Sequence, residues 1–323
     1  MNNDTINICQ VSLARDISLV EDNYKNFSKF YENLQFHIIC PKTDVSIFQE
    51  NFNFKNCNII NEDEVLSLSK FTIFFNELSN NLIYKDSFEQ RLSWYYQQVL
   101  KISYIIDFID KNNEKIIIWD ADTIILKKIK FFNEDESNNY GTLFEFHRPY
   151  FSTVKRIFDT LPRIFISSLT QFISISLKDN DALKKRLNNF IKQESMNTSE
   201  WISKIVLKAV FNEHQIFNGS MFSEYELIGI SKILSNDGKQ KPLFTLRSGL
   251  DGKLSNFQKL FCKFFNIYHV TYEHSHPNEF SKGMLKRQQS NIRFIRIILN
   301  DTVKFYLRNL RYQFNYLIRY FIK

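Results

Sequence analysis

A short apolar run that ends on two acidic residues constrains this sequence most. Residues 116–119 read IIIW, a composition typical of a buried β-strand, and Asp120 and Asp122 follow directly in DADTII. Carboxylates are rarely buried without a partner, because removing their charge from water is costly. In open α/β sheets, ligands bind outside the carboxyl ends of the strands. We therefore expect this strand to end at a ligand-binding cleft and not in the core.

The residues before this run alternate between strand-like and helix-like patterns. Strands are predicted at 6–13, 34–40 and 57–60, with a helix at 17–33 and helical spacing of apolar residues over 90–110. This order predicts an α/β fold with a Rossmann-like, mainly parallel sheet and flanking helices. Further elements are predicted downstream: strands at 141–146, 165–177, 242–246 and 267–272, helices at 181–193, 199–211 and 223–234, and a long helix from about 291.

Composition argues against several classes of protein. The chain has 323 residues, of which 44% are hydrophobic and only 7 are glycine. Neither a GxGxxG nor a P-loop pattern occurs, which argues against dinucleotide-dependent dehydrogenases and P-loop NTPases. The sequence begins without a signal-peptide pattern and its four cysteines are scattered. We therefore expect free thiols and a cytoplasmic location.

Basic residues are concentrated at the end of the chain. The net charge is +7, and the segment from Lys286 to Lys323 holds nine Lys or Arg against one acid, Asp301. Six basic residues of a helix over 291–322 fall within an arc of about 140°: Arg293, Arg296, Lys304, Arg308, Arg311 and Arg319. Such a helix is expected to bind an anionic membrane surface, here the inner face of the cell membrane.

The basic helix has two other possible partners besides a membrane. It could pack on the body or on a second copy of the chain, which would give a homo-oligomer. Binding of nucleic acid is not expected, because no motif of that kind occurs and the body carries no legible basic patch.

The spacing of the two aspartates suits a metal ion. Two carboxylates at positions i and i+2 of a loop can both reach one divalent cation, and oxygen ligands favour Mg²⁺ or Mn²⁺. Such an ion would neutralise a diphosphate leaving group. A second copy of the spacing, DND at 179–181, is predicted to cap a helix instead.

Three stretches resemble nucleotide-sugar glycosyltransferases of the GT-A fold: RLSWYYQQVLKISY (91–104), IIIWDADTIILKKI (116–129) and MFSEYELIG (221–229). The similarity is greatest to bacterial enzymes of surface-polysaccharide assembly. It implies a catalytic domain over 1–285, with a nucleotide-sugar-binding half at 1–130 and an acceptor half at 131–285. The basic helical tail would follow at 286–323.

The resemblance also implies a reaction and its cofactors. A sugar would pass from a nucleotide-sugar, expected to be a UDP-sugar, to a glycan or lipid-linked acceptor. Asp120 and Asp122 match the DxD motif, which holds Mn²⁺ or Mg²⁺ on the donor diphosphate. By the same analogy Ser12 and Arg15, in the loop after the first strand, would contact the nucleoside.

The helix before the aspartates carries a face of polar side chains. Arg91, Trp94, Gln98 and Lys101 lie at spacings of three and four residues, so they share one side. Arg91 and Lys101 could contact donor phosphates, and Gln98 could bind a sugar hydroxyl. The alternative is a solvated polar face with Trp94 packed at its edge.

Glu224 and Glu226 are candidates for acid–base chemistry. An inverting transferase needs a carboxylate as general base on the acceptor hydroxyl. Ser223 and Glu226 form an S-x-x-E capping-box pattern, which accounts for Glu226. Glu224 is therefore the predicted base.

Histidines supply the remaining candidates. The stretch YEHSHP at 272–277 places His274 and His276 on one side of an extended chain, and His276 is the predicted additional metal ligand. His147, Arg148 and Tyr150 follow a predicted strand. They could line an acceptor site or form a plain strand-to-helix turn.

Two other functions remain open on the sequence. Haloacid-dehalogenase-type phosphatases also carry DxD after a buried strand, and Asp120 would then be the nucleophile. Their motif usually lies near the start of the chain, whereas 119 residues precede it here. A non-catalytic, carbohydrate-binding protein of the GT-A fold would keep the same layout.

Overall fold

The structure is a computed structural model. It describes residues 5–52, 56–79, 85–133, 139–141, 147–162, 167–168, 170–211, 220–235, 241–243, 254–271 and 290–321. Nine strands lie within these residues: β1 Ile6–Val11, β2 Leu34–Cys40, β3 Cys57–Asn61, β4 Ile116–Trp119, β5 Thr123–Ile125, β6 Asn139–Gly141, β7 Phe172–Ile175, β8 Lys241–Leu243 and β9 His269–Thr271.

A mostly parallel sheet of five strands forms the centre, in the order β3-β2-β1-β4-β7. The four strands β1 to β4 are parallel to one another, whereas β7 runs antiparallel beside β4. Two small pairs lie outside this sheet, because β5 pairs antiparallel with β9 and β6 pairs parallel with β8. The strand before Asp120 is therefore interior, with a neighbour on each side.

Twelve α-helices lie within the described part of the chain: α1 Ile17–Ser28, α2 Val45–Asn51, α3 Glu62–Val65, α4 Leu68–Ser79, α5 Lys85–Glu89, α6 Leu92–Asn112, α7 Arg148–Phe158, α8 Leu177–Phe190, α9 Thr198–Phe211, α10 Glu224–Ser235, α11 Asn256–Phe264 and α12 Asn291–Phe321. The helix α6 ends where Asn113 adopts a left-handed conformation with φ of 56°. Asparagine tolerates that conformation better than most residues, so the chain can turn there into β4.

The sheet separates two hydrophobic clusters, because successive side chains of a strand point to opposite faces. One cluster contains Cys9 and Ile118 and is covered by helices that include α6, α9 and α10. The other contains Ile8 and Ile117 and is covered by α1 and α2. Trp119 ends β4 in this second cluster. The arrangement of helices on both faces confirms the predicted fold class.

A third cluster joins the last helix to the body. Phe294 and Ile298 of α12 are buried with Cys262 and with Ile124 and Val270 of the β5–β9 pair. Beyond Lys304, every side chain of α12 that the structure describes is exposed. The predicted tail therefore begins as part of the core and then leaves it. Among the described residues, no helix is long and apolar enough to cross a membrane.

Several predicted elements are confirmed, with shifts at their ends. The strands predicted at 34–40 and 116–119 have the observed bounds, and all four cysteines are free thiols. The helix predicted at 181–193 begins earlier, at Leu177, because Ser176 and Asp179 form a capping box. Asp179 is the third residue of that helix and its carboxylate accepts the Ser176 N–H, so the capping role predicted for DND is confirmed, with Ser176 as the N-cap residue.

Some predictions fell short in this part of the chain. The strand predicted at 165–177 is described only over Phe172–Ile175, after Gln171 bends the backbone with φ of 59°. Residues 142–146 and 244–246 of two predicted strands lie outside the described residues. The helices α4 and α11 were not predicted.

Candidate functional site

The two aspartates occupy a braced turn at the carboxyl end of β4. The Asp120 N–H donates to the Gln171 carbonyl at 2.8 Å, and the Thr123 N–H donates back to the Asp120 carbonyl at 3.1 Å. The Trp119 indole N–H donates to the Thr123 carbonyl at 2.6 Å. The Asn23 amide of α1 donates to the Ala121 carbonyl at 3.2 Å. These bonds fix the directions in which the Asp120 and Asp122 carboxylates leave the backbone.

A buried ammonium group lies between two carboxylates at this turn. Lys101 Nζ is 2.6 Å from Asp120 Oδ1 and 2.8 Å from Glu224 Oε1. The Lys101 and Glu224 side chains are only 4% and 3% exposed, whereas that of Asp120 is 25% exposed. Lys101 comes from the middle of α6 and Glu224 from the first residue of α10. The sheet face and two helices thus meet at one charged cluster.

Burial and charge act in opposite directions on these groups. Burial lowers the pKa of Lys101, but the Asp120 and Glu224 carboxylates outweigh it and raise that pKa above its ordinary value. Burial raises the pKa of Glu224, and the neighbouring Lys101 charge only partly opposes this. The ammonium therefore stays charged at neutral pH and holds both oxygen atoms in place.

Two buried polar groups beside the cluster are left without ordinary hydrogen bonds. Gln98 Oε1 accepts the Glu224 N–H at 3.1 Å, but Gln98 Nε2 has no partner among the described residues. The Tyr225 hydroxyl lies beside Asp120 without a hydrogen bond of ordinary geometry to a described residue. Burial, followed by the Asp120 charge, raises the pKa of Tyr225 well above its usual range, so the hydroxyl keeps its proton. Both groups can donate to a ligand.

The carboxylates of the turn are compatible with a divalent cation, but they do not supply a complete set of metal ligands by themselves. Asp122 is half-buried and accepts a bond of 3.3 Å from the Thr123 hydroxyl. Asp120 Oδ1 already accepts a hydrogen bond from Lys101 Nζ. Among the described residues there is no group of three His, Cys, Asp or Glu side chains that could hold a metal ion. Two carboxylates fit Mg²⁺ or Mn²⁺ when other oxygen atoms complete the coordination.

The remaining residues predicted around the donor are distributed over one edge of the sheet. Ser12 follows β1, which is the parallel neighbour of β4, and its hydroxyl is buried without a partner among the described residues. Arg15 is exposed and lies 3.9 Å from Asp16. The predicted polar face of α6 is divided, since Arg91 and Trp94 are exposed while Gln98 and Lys101 are buried.

The residues predicted at the acceptor side support the chain leading to Glu224. His147 Nε2 lies 2.9 Å from the Ser220 carbonyl, and its ring packs on Tyr150 at 4.3 Å. The Thr153 hydroxyl of α7 donates to the Met221 carbonyl at 2.7 Å. Arg148 is exposed at the start of α7. His274 and His276 lie outside the described residues.

Glu226 has a packing role that the sequence did not indicate. Its carboxylate is buried and accepts bonds from the Ser167 hydroxyl at 2.6 Å and the Ser168 N–H at 3.2 Å. It therefore ties α10 to the segment that precedes β7. The Ser223 hydroxyl also accepts the Glu226 N–H at 3.5 Å, in line with the capping pattern.

Tyr225 is the site residue that the sequence analysis missed. It stands between two glutamates that were both considered, in SEYE. A phenol next to a candidate catalytic carboxylate was the available signal. Its burial against Lys101, whose Nζ lies 5.2 Å from the Tyr225 ring centre, could not be read from the sequence.

A separate cavity of about 650 Å³ opens at the sheet edge beside β3. Cys57, Tyr104 and Asp107 are among its lining residues. The Asp107 carboxylate already accepts a hydrogen bond from Thr198. We place the candidate site at Asp120, because the buried charges and the unpartnered donors meet there.

Comparison with known proteins gives structural neighbours only. No protein-family model matches the sequence, and no curated protein matches it. Solved structures similar to this chain include the galactosyltransferase LgtC in complex with donor and acceptor sugar analogues, with 12% identity, a TM-score of 0.42, and 90% of this chain and 95% of that chain covered.

Two further neighbours are also glycosyltransferases. Mouse xyloside xylosyltransferase 1 shares 9% identity at a TM-score of 0.41, over 84% of this chain and 99% of that chain. The glycosyltransferase GlyE of Streptococcus pneumoniae shares 12% identity at a TM-score of 0.35, over 84% and 55%. At these values the likeness carries no argument about the reaction of the present chain.

Proposed function

We propose that this protein is a glycosyltransferase that moves a sugar from a nucleotide-sugar donor to a glycan or lipid-linked acceptor. The observation that carries the proposal is the Asp120–Lys101–Glu224 cluster at the carboxyl end of β4. Taking charged groups out of water is costly, and well-packed apolar residues in their place often stabilise a fold just as much. Asp120 stays partly exposed while its partners are buried, so the cluster presents one carboxylate to a ligand.

Asp120 and Asp122 are the proposed ligands of Mn²⁺ or Mg²⁺, together with oxygen atoms of the donor diphosphate. When bound, the ion would neutralise charge that develops on the leaving nucleoside diphosphate. Lys101 holds Oδ1 of Asp120 at 2.6 Å and would thereby leave the second oxygen of that carboxylate for the ion. Because the Asp120 turn is held on several sides, this orientation would need little rearrangement on binding.

His276 remains the proposed additional ligand. Thr271 ends β9 with its hydroxyl 3.0 Å from that of Thr123, one residue from Asp122. Five residues span at most about 18 Å when fully extended, a length that would allow His276 to approach the aspartate turn. This short tether supports the assignment made from the HxH spacing.

Two donor groups beside the cluster suggest how the donor sugar would be held. Gln98 Nε2 and the Tyr225 hydroxyl are proposed to bind sugar or phosphate oxygen atoms, which would satisfy both groups. Ser12, Arg15 and Arg91 are proposed contacts of the nucleotide. Ser12 is the best supported of the three, because its buried hydroxyl follows the strand beside β4.

Glu224 is the proposed general base if the enzyme inverts the anomeric centre. A base must come within about 3 Å of the acceptor hydroxyl. Glu224 is now bonded to Lys101 and almost fully buried. The role therefore requires the Lys101–Glu224 contact to open during the reaction, which is a condition that an activity measurement can test.

A phosphatase with Asp120 as nucleophile is less well supported. That chemistry needs further acids directly after a strand that adjoins β4 and ends at the same edge. The parallel neighbour β1 is followed by Ser12 and Leu13 instead. The strand β7 lies beside β4 but runs antiparallel to it, so its carboxyl end is at the opposite edge. A non-catalytic carbohydrate-binding protein is also less well supported, because binding a sugar does not require the buried ion pairs of Lys101.

A ligand screen tests the proposal. We would measure the thermal midpoint with UDP-, GDP- and CMP-sugars, each with and without Mn²⁺. The proposal expects a rise for one nucleotide class that depends on the ion, because a ligand that binds only the folded state stabilises it. No rise with any donor would contradict it. A covalent phosphate found on Asp120 by mass spectrometry would favour the phosphatase.

A further inference from the structure

The last helix exposes a continuous apolar stripe. Among the α12 side chains that the structure describes, nine large apolar ones are between 48% and 83% exposed. At 100° per residue they fall within an arc of about 120°, from Ile292 at one end of the helix to Leu317 at the other. The stripe is about 38 Å long at 1.5 Å per residue.

The stripe follows an 11-residue repeat. Ile292, Val303 and Phe314 occupy one position of the repeat, and Leu299 and Leu310 occupy another. Eleven residues make almost three complete turns, so the stripe drifts by only about 20° per repeat. An apolar face that runs nearly straight along a helix suits a flat surface over its whole length.

The charges beside the stripe favour one kind of surface. Arg293 and Arg311 are exposed and flank the stripe, Arg296 is exposed within its arc near the start of the helix, and Lys304 is half-buried. Asp301, the one acid of α12, is buried. Two copies of this helix side by side would bring basic residues together, which is unfavourable. A lipid surface with anionic headgroups complements both the stripe and the basic flank.

The opposite side of α12 is fixed to the element that carries the aspartates. Phe294 and Ile298 pack with Ile124 of β5 and Val270 of β9. The strand β5 begins at Thr123, immediately after Asp122. The Gln258 amide of α11 also donates to Asn291 at 2.8 Å. The helix is thus joined to the site by packed side chains and not by a free linker.

We infer that α12 is a rigid docking arm that lies flat on an anionic lipid surface through its 11-residue stripe, and that this sets the orientation of the Asp120–Asp122 turn toward the membrane. The inference builds on the membrane partner expected for the basic tail. It does not depend on the reaction catalysed. The stripe supplies the buried apolar area, and the basic residues supply attraction to the headgroups.

Liposome sedimentation with the full-length chain tests the stripe. We would use phosphatidylcholine vesicles with and without phosphatidylglycerol and compare the wild type with a Leu299→Glu, Leu310→Glu variant. The partition coefficient on anionic vesicles should fall by about tenfold or more, because two exposed leucines leave the lipid and two negative charges are added. The thermal midpoint should stay unchanged, since both side chains are exposed.

A matched control changes the same chemistry elsewhere. Leu68 and Ile73 of α4 are also exposed apolar residues, so a Leu68→Glu, Ile73→Glu variant should keep the wild-type partition coefficient. An Arg296→Gln, Arg311→Gln variant should lose about tenfold on anionic vesicles and little on neutral ones.

Three results would overturn the inference. The full-length chain could ignore anionic vesicles, the stripe variant could bind like the wild type, or the wild type could be a dimer that the stripe variant makes monomeric. The last result would identify a second copy as the occupant. The thermal shift with donor, measured in the same samples, reports on the proposed reaction separately.

Discussion

The Asp120 turn and the last helix depart from ordinary burial in opposite ways. Around Asp120, charged groups that water would solvate are held inside, with Lys101 paired to two carboxylates. On α12, apolar groups that a core would cover are left in water over about seven turns of helix. Both are costly for a protein that serves only its own stability. The buried charges at the turn suit the polar, charged ligand that we propose there, and the exposed apolar stripe suits the lipid surface that we propose for the helix.

The two regions should respond very differently to the loss of one side chain. Lys101→Met removes the ion-pair partner of the buried Glu224 carboxylate, so unfolding in urea should show a loss of about 3–5 kcal/mol. Adding Glu224→Gln should recover part of it, because the buried charge is removed as well. Lys25→Met breaks an exposed pair with Glu21 and should change little. Equal effects of the two lysine variants would show that the cluster is not a buried one.

The two ends of α12 provide the second contrast. Phe294→Ala empties a place in the third cluster and should cost about 3–5 kcal/mol in unfolding free energy. Leu310→Ala changes an exposed position and should stay within about 0.5 kcal/mol of the wild type. If Leu310→Ala is as destabilising as Phe294→Ala, the outer part of the helix is packed in solution and the stripe is not free.

Close packing around the charged cluster sets a third expectation. A Cβ atom on Gly229 would meet Ser168 Oγ at 2.0 Å and Ser168 Cβ at 2.5 Å. Gly229→Ala should therefore cost about 1–3 kcal/mol, although alanine favours helices more than glycine does. The double variant Gly229→Ala, Ser168→Gly should regain most of this loss. Chemical denaturation of the wild type and the two variants measures these changes, and a double variant as unstable as Gly229→Ala would show that the strain does not arise at Ser168.

A buried histidine below the turn predicts a pH dependence. His269 packs on Trp119 and Phe172, and neither ring nitrogen has a partner among the described residues. Burial lowers the pKa of His269 to about 3. The unfolded chain takes up a proton below about pH 6.5 and the folded one does not, so stability falls by about 1.4 kcal/mol per pH unit toward pH 3.

The variant His269→Phe isolates this contribution. The aromatic packing is kept and the titrating group is removed, so unfolding between pH 6.5 and 4 should take up about one proton fewer. The free energy of unfolding should therefore fall less steeply as the pH is lowered. His37, whose pKa burial lowers to about 4, should still contribute to the acid slope. Unfolding curves at several pH values measure both slopes. Identical slopes in the variant and the wild type would mean that His269 is protonated in the folded state.

Features that depend on residues close together in the chain could be predicted from the sequence. The IIIW run, the helix before it and the aspartates at the strand end were all found, because each rests on a pattern within a few residues. The pairing of Lys101 with Glu224 could not be predicted in the same way. These residues are 123 positions apart, and only the packing of α10 on α6 brings them together.

The tail shows the same limit. Its composition predicts an amphipathic helix, but Phe294 and Ile295 are equally apolar, and only tertiary contacts decide that Phe294 is buried and Ile295 exposed. Arg91 and Lys101 illustrate it within one helix, since both were assigned to a polar face and only Lys101 is buried. Periodicity identifies a face, and the neighbouring elements decide its surroundings.

Calorimetric titration of the nucleotide-sugar selected by the thermal screen, with and without Mn²⁺, tests the central claim most directly. The informative variant is Asp122→Asn, because Asp122 adjoins the cluster without being the Lys101 partner. Asp110→Asn is the matched control, since Asp110 is an exposed partner of Lys184. The wild type and Asp110→Asn should bind the donor more tightly with Mn²⁺, and Asp122→Asn should lose about tenfold or more of this metal-dependent affinity. Unchanged metal-dependent binding in Asp122→Asn would contradict the central claim.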